Sequence, residues 1–241
     1  MKNRIYLILV LLLMCCTTSD NETIRNSISL SIIVDRTDDE ITKPGIKDIE
    51  QIVRHFEDEH ILVRYLNLGN ANLNEAYILS LPTDNLFGNR LERKVRVERF
   101  YEKLDTLLIE QNAKSYHYNN SSIYLPLVEQ LNKVSTSKQE KKIVILYSDV
   151  IEFSSTYNLY KRASLQKMHN KPEAVVEHFK SVRAIPDLTG VSLYIVNYPR
   201  SEKENQLFQT MCDFYKDHLF KDSGLTIHFG IDKDLNIQGH E

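Results

Sequence analysis

The sequence predicts an α/β domain in which a mostly parallel β-sheet, with one antiparallel edge strand, lies between two layers of helices. Segments with the pattern of strands alternate along the chain with segments of helical periodicity. The runs at 32–34, 143–146 and Val191–Val196 are continuously apolar, which is typical of strands buried on both faces. The turn-forming segment at 69–72 separates two further strand-like runs and predicts a hairpin, which accounts for the antiparallel strand.

Six segments have the composition of β-strands and are bounded by charged or turn-forming residues. They lie at 27–34, Ile61–Leu68, Ala76–Leu81, 143–147, Val191–Val196 and 225–229. The first ends in the acidic segment 35–40, and Lys141 and Lys142 introduce the fourth. Gly190 and Pro199 bound the fifth, so each strand has a local reason to begin or to end.

Helical spacing of apolar residues predicts five helices between these strands. They lie at 46–58, 91–112, 122–134, 172–183 and 202–220. Ser201 precedes the last of them with Glu204 at its third position, which is the pattern of a capping box. The stretch 151–170 has no clear period and is predicted to be a loop with a short helix. Together the elements predict a three-layer, Rossmann-like arrangement.

The first residues have the pattern of a bacterial secretion signal. Lys2 and Arg4 precede an apolar run at 5–14, which is shorter than the roughly 20 residues that a membrane span needs. The residues around Cys16 resemble a lipobox, in which a small residue precedes the acylated cysteine, and Met14 is too large to precede a lipidated Cys15. Cys16 is therefore the predicted lipidation site. The alternatives are a plain signal peptide and an uncleaved anchor helix.

These features predict how the chain is organised and where it resides. We expect residues 1–15 to be a lipoprotein signal peptide, residues 16–26 a lipidated tether and residues 27–241 one folded domain. An acylated N-terminal cysteine holds a protein at a membrane because each buried methylene contributes about 0.8 kcal/mol. The sequence thus predicts a membrane-anchored lipoprotein of the bacterial cell envelope.

The charge of the chain argues against one class of partner, and its cysteine content argues against disulfides. Removal of residues 1–15 takes away two basic residues and moves the formal charge from −3 to −5. No basic stripe stands out in the rest of the sequence, which argues against nucleic acid as a partner. Only Cys16 and Cys212 then remain, so no intramolecular disulfide is expected. The apolar neighbours of Cys212 at helical spacing predict that it packs in the core.

Polar residues able to bind a cation follow the predicted central strands. Asp35, Thr37 and Asp39 come directly after the first strand, and Asp149 comes after the fourth. Ser121 lies in the polar loop that opens the third predicted helix. In open α/β sheets ligands bind outside the carboxyl ends of the strands, so these side chains are expected to meet at one edge of the sheet. Taken singly, each of them is also explained by helix capping or by loop hydrogen bonding.

The order of these pieces resembles the von Willebrand factor A (integrin I) domain over residues 27–230. That family builds a metal-ion-dependent adhesion site from a DxSxS loop after the first strand, a threonine that opens a later helix and an aspartate after the fourth strand. Asp35 and Thr37 match the first two positions of the loop. Ser121 stands where the family has its threonine, with Ser122 as the alternative register, and Asp149 matches the last aspartate.

The resemblance implies a bound Mg²⁺ or Ca²⁺ and, through it, a protein or peptide ligand. Asp39 departs from the family pattern, which has a serine there, although a carboxylate is a good ligand for either cation. Its extra negative charge would weaken capture of an acidic ligand or favour Ca²⁺, or it would mark a site that no longer functions. We therefore expect a binding protein rather than an enzyme. The alternative is a scaffold of the same fold that uses no metal.

An enzyme of another class is a third interpretation. Asp35 and Thr37 also resemble the nucleophile loop of haloacid-dehalogenase-like phosphotransferases, in which an aspartate attacks phosphorus, and Ser148 suits their second motif. The phosphate-binding lysine and the later acidic pair of those enzymes have no convincing counterpart. An EF-hand is excluded because Glu40 stands where its loop needs glycine. Zinc is disfavoured because the histidines are scattered along the chain.

Overall fold

A computed structural model describes residues 23–38, 40–69, 76–84, 89–116, 118 and 120–230. The strands are β1 (Ile24–Asp35), β2 (Ile61–Leu68), β3 (Ala76–Leu81), β4 (Gln139–Tyr147), β5 (Val191–Val196) and β6 (Thr226–Phe229). The α-helices are α1 (Ile46–Val53), α2 (Arg90–Ala113), α3 (Tyr124–Ser135), α4 (Arg162–Asn170), α5 (Pro172–Val182) and α6 (Glu202–Phe214). A 3-10 turn follows α1, and a π-helical turn follows α6. The predicted lipidation site Cys16, the predicted signal peptide and Asp39 lie outside the described residues.

The six strands form one sheet in the order β3-β2-β1-β4-β5-β6. All neighbouring pairs are parallel except β2 and β3, so β3 is the antiparallel edge strand. The predicted α/β fold, a Rossmann-like sheet between helical layers, is confirmed. The strand order reverses between β1 and β4, and the carboxyl ends of these two strands are where such sheets bind ligands.

Side-chain alternation along β1 divides the apolar core between the two faces of the sheet. Ile32 and Val34 pack on the face that α1 and α2 cover, whereas Ile33 packs on the face that α3, α5 and α6 cover. All three are fully buried. Because successive side chains of a strand point to opposite faces, Asp35 continues the α3 face and Arg36 the α2 face. This alternation positions Asp35 beside the loop that precedes α3.

Two strands begin three or four residues earlier than the sequence predicts, for a shared reason. β1 begins at Ile24 instead of residue 27, and β4 begins at Gln139 instead of residue 143, because Ile24 pairs with Gln139 across a bulge. Asn26 lies within the bulge at φ 49°, a left-handed conformation that asparagine tolerates, and its N–H donates to the Glu140 carboxylate at 2.7 Å. A bulge breaks the alternation on which strand prediction depends.

Two further expectations concern helices. Cys212 of α6 is 4% exposed within the core, which confirms the packing role that its neighbours predict. The segment 151–170 contains α4 after a loop, in agreement with the predicted short helix. Among the described residues, no helix has both the length and the apolar character to cross a membrane.

Candidate cation site

The carboxylate of Asp35 is the centre of a hydrogen-bonded cluster at the end of β1, where this side chain is 1% exposed. Its Oδ1 accepts hydrogen bonds from the N–H of Thr37 at 3.0 Å and from the hydroxyl of Thr37 at 2.7 Å. Its Oδ2 accepts from the hydroxyls of Ser121 at 2.9 Å and Ser148 at 3.0 Å. Burial raises the pKa of Asp35, and the hydrogen bonds from these three residues oppose that rise. Hydroxyls from three separate loops thus converge on one buried carboxylate.

This arrangement orients the hydroxyl oxygens. A hydroxyl has one hydrogen and two lone pairs, and each of the three directs its hydrogen at Asp35. The oxygens therefore keep lone pairs for a further partner, and oxygen is the ligand atom that hard cations prefer. A carboxylate has about four acceptor positions, and the hydrogen bonds described here occupy that number at Asp35. Chemically, Asp35 holds the three hydroxyls in place, and their oxygens keep lone pairs, one of which at Ser148 accepts from the N–H of Val150.

Asp149 contributes a second carboxylate just after β4, the neighbouring strand. Its Oδ1 accepts from the N–H of Ile151 at 3.0 Å, and its Oδ2 accepts from the hydroxyl of Tyr160 at 3.3 Å. Burial raises the pKa of Asp149 to about 7, and the negative charge of Asp35 adds to the rise. Carboxyl groups perturbed in this way are common at functional sites, and a nearby cation would favour their charged forms.

The backbone next to Asp149 is strained. Val150 has φ 57° and is fully buried, although β-branched residues rarely adopt the left-handed region. Such a conformation costs about 1–2 kcal/mol for a residue with a Cβ atom. The N–H of Val150 donates to the hydroxyl oxygen of Ser148 at 2.9 Å, so the turn also fixes this serine. Strain of this kind persists where the surroundings over-determine the backbone, and it concentrates at binding sites.

The loop that carries Ser121 is fixed by the segment after β4. Ser121 and Phe153 exchange two backbone hydrogen bonds, each 2.8 Å long. The carboxylate of Glu152, which is 2% exposed, accepts from the N–H groups of Ile123 at 2.8 Å and Tyr124 at 2.9 Å. Burial raises the pKa of Glu152, and these hydrogen bonds oppose the rise. The start of α3 is therefore held by residues that follow Asp149 in the chain.

A cleft with a volume of about 220 Å³ opens beside this cluster. Its walls come from the loop after β1, the segment after β4, the loop after β5 and α6, and they include Asp38, Ile41, Asp149, Tyr198, Arg200 and Phe208. Arg200 forms ion pairs with Asp38, Glu40 and Glu204, which join the loop after β1 to α6. Three exposed aromatic side chains are called the aromatic rim below: Tyr160 and Tyr198, which line the cleft, and Phe153, whose ring centroid lies 5.9 Å from that of Tyr160.

The structure brings some of the predicted site residues together, and one of them lies outside the described residues. Direct hydrogen bonds join Thr37 and Ser121 to Asp35, and Asp149 lies within electrostatic range of Asp35. Of the two candidate serines, Ser121 rather than Ser122 is the donor to Asp35. Asp39 is outside the described residues. Within those residues no three His, Cys, Asp or Glu side chains converge as a metal site, so a cation here requires hydroxyl ligands as well as carboxylates.

Two residues that position groups of the site are absent from the predicted ligand set. Ser148 is adjacent to Asp149, and its position at the carboxyl end of a buried strand is a signal that predicts proximity to the site. Glu152 has no such signal, because its partners are backbone groups 28 and 29 positions earlier in the chain. No protein-family model matches the chain, and no curated protein shows significant similarity to it.

Proposed function

We propose that this protein binds a divalent cation, Mg²⁺ or Ca²⁺, at the carboxyl ends of β1 and β4 and, through the cation, a protein or peptide ligand. The observation that carries the proposal is the convergence of three hydroxyls on the buried carboxylate of Asp35. The hydroxyl oxygens of Thr37 and Ser121 and the carboxylate of Asp149 supply ligands. Asp35 holds the hydroxyls and contributes the negative charge that a cation neutralises.

The architecture is consistent with a von Willebrand factor A-like domain, which forms part of the same proposal. The sheet has its antiparallel strand at the β3 edge, and the candidate site lies where the strand order reverses. We further propose that a signal peptide at residues 1–15 exports the chain and that lipidated Cys16 anchors it in the bacterial cell envelope. The candidate site is then available to a partner in that compartment.

The surroundings of the site suit a protein or peptide ligand. The cleft beside Asp149 has both apolar and charged walls, and the aromatic rim stands around it. Tyr198 is 69% exposed and Tyr160 is 58% exposed, so both rings are accessible to a ligand. Exposed aromatic side chains around a polar centre are typical of protein recognition surfaces. A carboxylate of the ligand completes the cation's coordination shell, and its neighbouring residues contact the rim.

The phosphotransferase alternative receives less support. A nucleophilic aspartate has to reach the phosphorus atom of its substrate with a free oxygen. Asp35 is 1% exposed, and both of its oxygens already accept two hydrogen bonds. The same burial suits a carboxylate that organises cation ligands. A scaffold that binds without a metal remains the second candidate, because the aromatic rim does not depend on a cation.

Calorimetric titration of the full chain in detergent, after treatment with a chelator, tests the proposal. We expect Mg²⁺ or Ca²⁺ to bind at one site and Asp35→Ala to abolish that binding. Asp187→Ala is a matched control, because Asp187 accepts the same two hydrogen bonds from Thr189, at 3.0 and 2.7 Å, on the exposed surface. Failure of the wild-type protein to bind either cation, or equal binding by Asp35→Ala, would favour the metal-independent scaffold.

A further inference from the structure

We propose that Glu152 is a positioning residue for the cation site, which it serves by fixing the start of α3 and thereby the hydroxyl of Ser121. This inference rests on the proposed cation binding and adds a residue that orients one of its ligands. Glu152 uses a single oxygen, Oε2, to accept hydrogen bonds from the N–H groups of Ile123 and Tyr124. Both of these N–H groups belong to the beginning of α3.

The start of α3 needs a partner from elsewhere in the chain. The first N–H groups of a helix have no acceptor within the helix, and a serine, threonine, aspartate or asparagine at the N-cap usually accepts from one of them. The N-cap residue of α3 is Ile123, whose side chain has no acceptor. Ser121 stands two positions earlier, but its hydroxyl donates to Asp35. Glu152 therefore performs the capping that a local serine performs in other helices.

This division of roles links Glu152 to the site. The two backbone hydrogen bonds between Ser121 and Phe153 lie next to the Glu152 cap, so the segments 121–124 and 152–153 are joined at adjacent points. Loss of the cap frees the first turn of α3 and allows the backbone of Ser121 to shift. Small shifts matter, because the hydrogen bond from Ser121 to Asp35 depends on a distance of 2.9 Å.

A competing explanation is that Glu152 acts through its charge alone, as a third buried carboxylate that attracts the cation. Glutamine separates the two explanations, since its side-chain carbonyl keeps an acceptor in place of Oε2 but carries no charge. Positioning predicts that Glu152→Gln binds the cation with an affinity within about twofold of wild type. Glu152→Ala removes the acceptor and is expected to lower the affinity 10- to 100-fold, the range for groups that orient metal ligands.

The test is a Mn²⁺ titration of the full chain in detergent, in which electron paramagnetic resonance reports the free ion. A double-mutant cycle identifies the route: if Glu152 acts through Ser121, Glu152→Ala combined with Ser121→Ala binds no more weakly than Ser121→Ala alone. Asn89→Ala is the control variant, because Asn89 caps α2 through the N–H of Leu91 at 2.9 Å, and its loss should leave Mn²⁺ affinity unchanged.

The outcomes separate this inference from the proposed function. A wild-type protein that binds neither Mn²⁺ nor, in the calorimetric titration, Mg²⁺ or Ca²⁺ overturns both. If it binds only Mg²⁺ or Ca²⁺, the same variants are compared by that calorimetric titration. Binding by wild type with equal affinity in Glu152→Ala overturns only the role of Glu152, and so does an affinity in Glu152→Gln as low as that in Glu152→Ala. Additive losses in the cycle with Ser121→Ala likewise contradict the positioning role. If Glu152→Ala does not fold, Glu152→Asp replaces it, because its carboxylate is one methylene too short to reach the N–H groups of α3.

Discussion

The chain contains two Asp-x-Thr turns with the same local geometry and different surroundings. In both, the aspartate Oδ1 accepts from the threonine N–H at 3.0 Å and from the threonine hydroxyl at 2.7 Å. Asp187 lies on the exposed surface before β5, at the amino ends of the parallel strands, and these hydrogen bonds lower its pKa. Asp35 lies at the end of β1, and burial raises its pKa. The same motif therefore has pKa shifts of opposite direction at the two ends of the parallel strands.

The difference shows what makes the first turn a candidate site. The hydrogen bonds within each turn are local and satisfy Oδ1 in both. Only the tertiary structure brings Ser121 and Ser148 to Oδ2 of Asp35. A buried negative charge is costly unless it is paired or hydrogen-bonded, and a bound cation is one such partner. Burial of Asp35 and the hydroxyls of Ser121 and Ser148 therefore distinguish the first turn from the second.

The middle residues of the two turns are both buried but are held differently. Leu188 packs in the apolar core, whereas the guanidinium of Arg36 donates to Tyr65 at 2.7 Å, Asn67 at 2.9 Å and the carbonyl of Gln111 at 2.8 Å. Arg36 thus joins β1, β2 and the end of α2 on the face of the sheet opposite the cation site. It anchors the first turn in the fold while Asp35 faces the site.

Arg36→Leu makes the first turn resemble the second and is expected to have the largest effect. The Oδ1 of Asn67 loses the Arg36 donor inside the protein, and the carbonyl of Gln111 keeps only the N–H of Lys114 at 3.3 Å. A buried acceptor left without its donor costs about 1–3 kcal/mol. We expect a decrease of about 3 kcal/mol in the free energy of unfolding, measured with urea in the presence of chelator. Cation affinity of the folded variant should match wild type. A weaker affinity would show that the two faces of β1 are coupled.

Thr37→Val and Thr189→Val form a matched pair, because each removes one hydroxyl and keeps the shape of the side chain. Thr37→Val takes a donor from a buried carboxylate, and hydrogen bonds to charged groups contribute about 1.5–3 kcal/mol. We expect a loss of about 2 kcal/mol there in chelator. At exposed Thr189 water replaces the hydroxyl, and the loss should be under about 0.5 kcal/mol. Equal losses of stability in the two variants would show that burial does not distinguish the two turns.

The pH dependence of stability tests the effect of burial on a carboxyl group of the candidate site, Asp149. Burial raises the folded-state pKa of Asp149 from 3.8 to about 7, so the folded protein binds this proton more tightly than the unfolded chain. The resulting stability is fully present below about pH 4 and is lost as the pH rises through about 7, by up to about 1.4 kcal/mol per unit.

Asp149→Asn should flatten that decline in chelator, and the difference between the two unfolding curves isolates the contribution of Asp149. Asp187 provides a control of opposite sign. Its lowered pKa contributes stability above its ordinary pKa, and this is lost as the pH falls. A decline that persists unchanged in Asp149→Asn would assign it to other groups. Cation binding requires the charged carboxylate, so wild-type affinity should increase over the same interval.

Val150 gives the smallest expected effect. A protein with alanine is more stable than one with glycine at most positions. At φ 57°, however, a residue with a Cβ atom is strained. Both variants lose the buried valine side chain, so a comparison between them isolates the backbone. We expect Val150→Gly to be about 1 kcal/mol more stable than Val150→Ala. Thermal unfolding measures the order. A more stable Val150→Ala would mean that the turn before Ile151 adjusts to a Cβ atom without strain.

Most of the fold could be predicted because its causes are local. The apolar runs of β4 and β5 identify strands buried on both faces, and helical spacing identifies α2 and α6. The early start of β1 could not be predicted, because it depends on the pairing of Ile24 with Gln139 across a bulge. Within the site, Asp35 and Asp149 could be predicted from their positions at strand ends. Glu152 was not, because it binds backbone groups far away in the chain.

By itself, the sequence determined the elements, the polar residues at the strand ends and the shape of each Asp-x-Thr turn, since these depend on neighbours a few residues apart. Only the tertiary structure decided that the first turn is buried and that its aspartate accepts hydrogen bonds from distant serines. Ser121 and Ser148 are 86 and 113 positions from Asp35, and the sheet brings them within 3.0 Å. Burial, which raises the pKa of Asp35, arises only when strands and helices pack together.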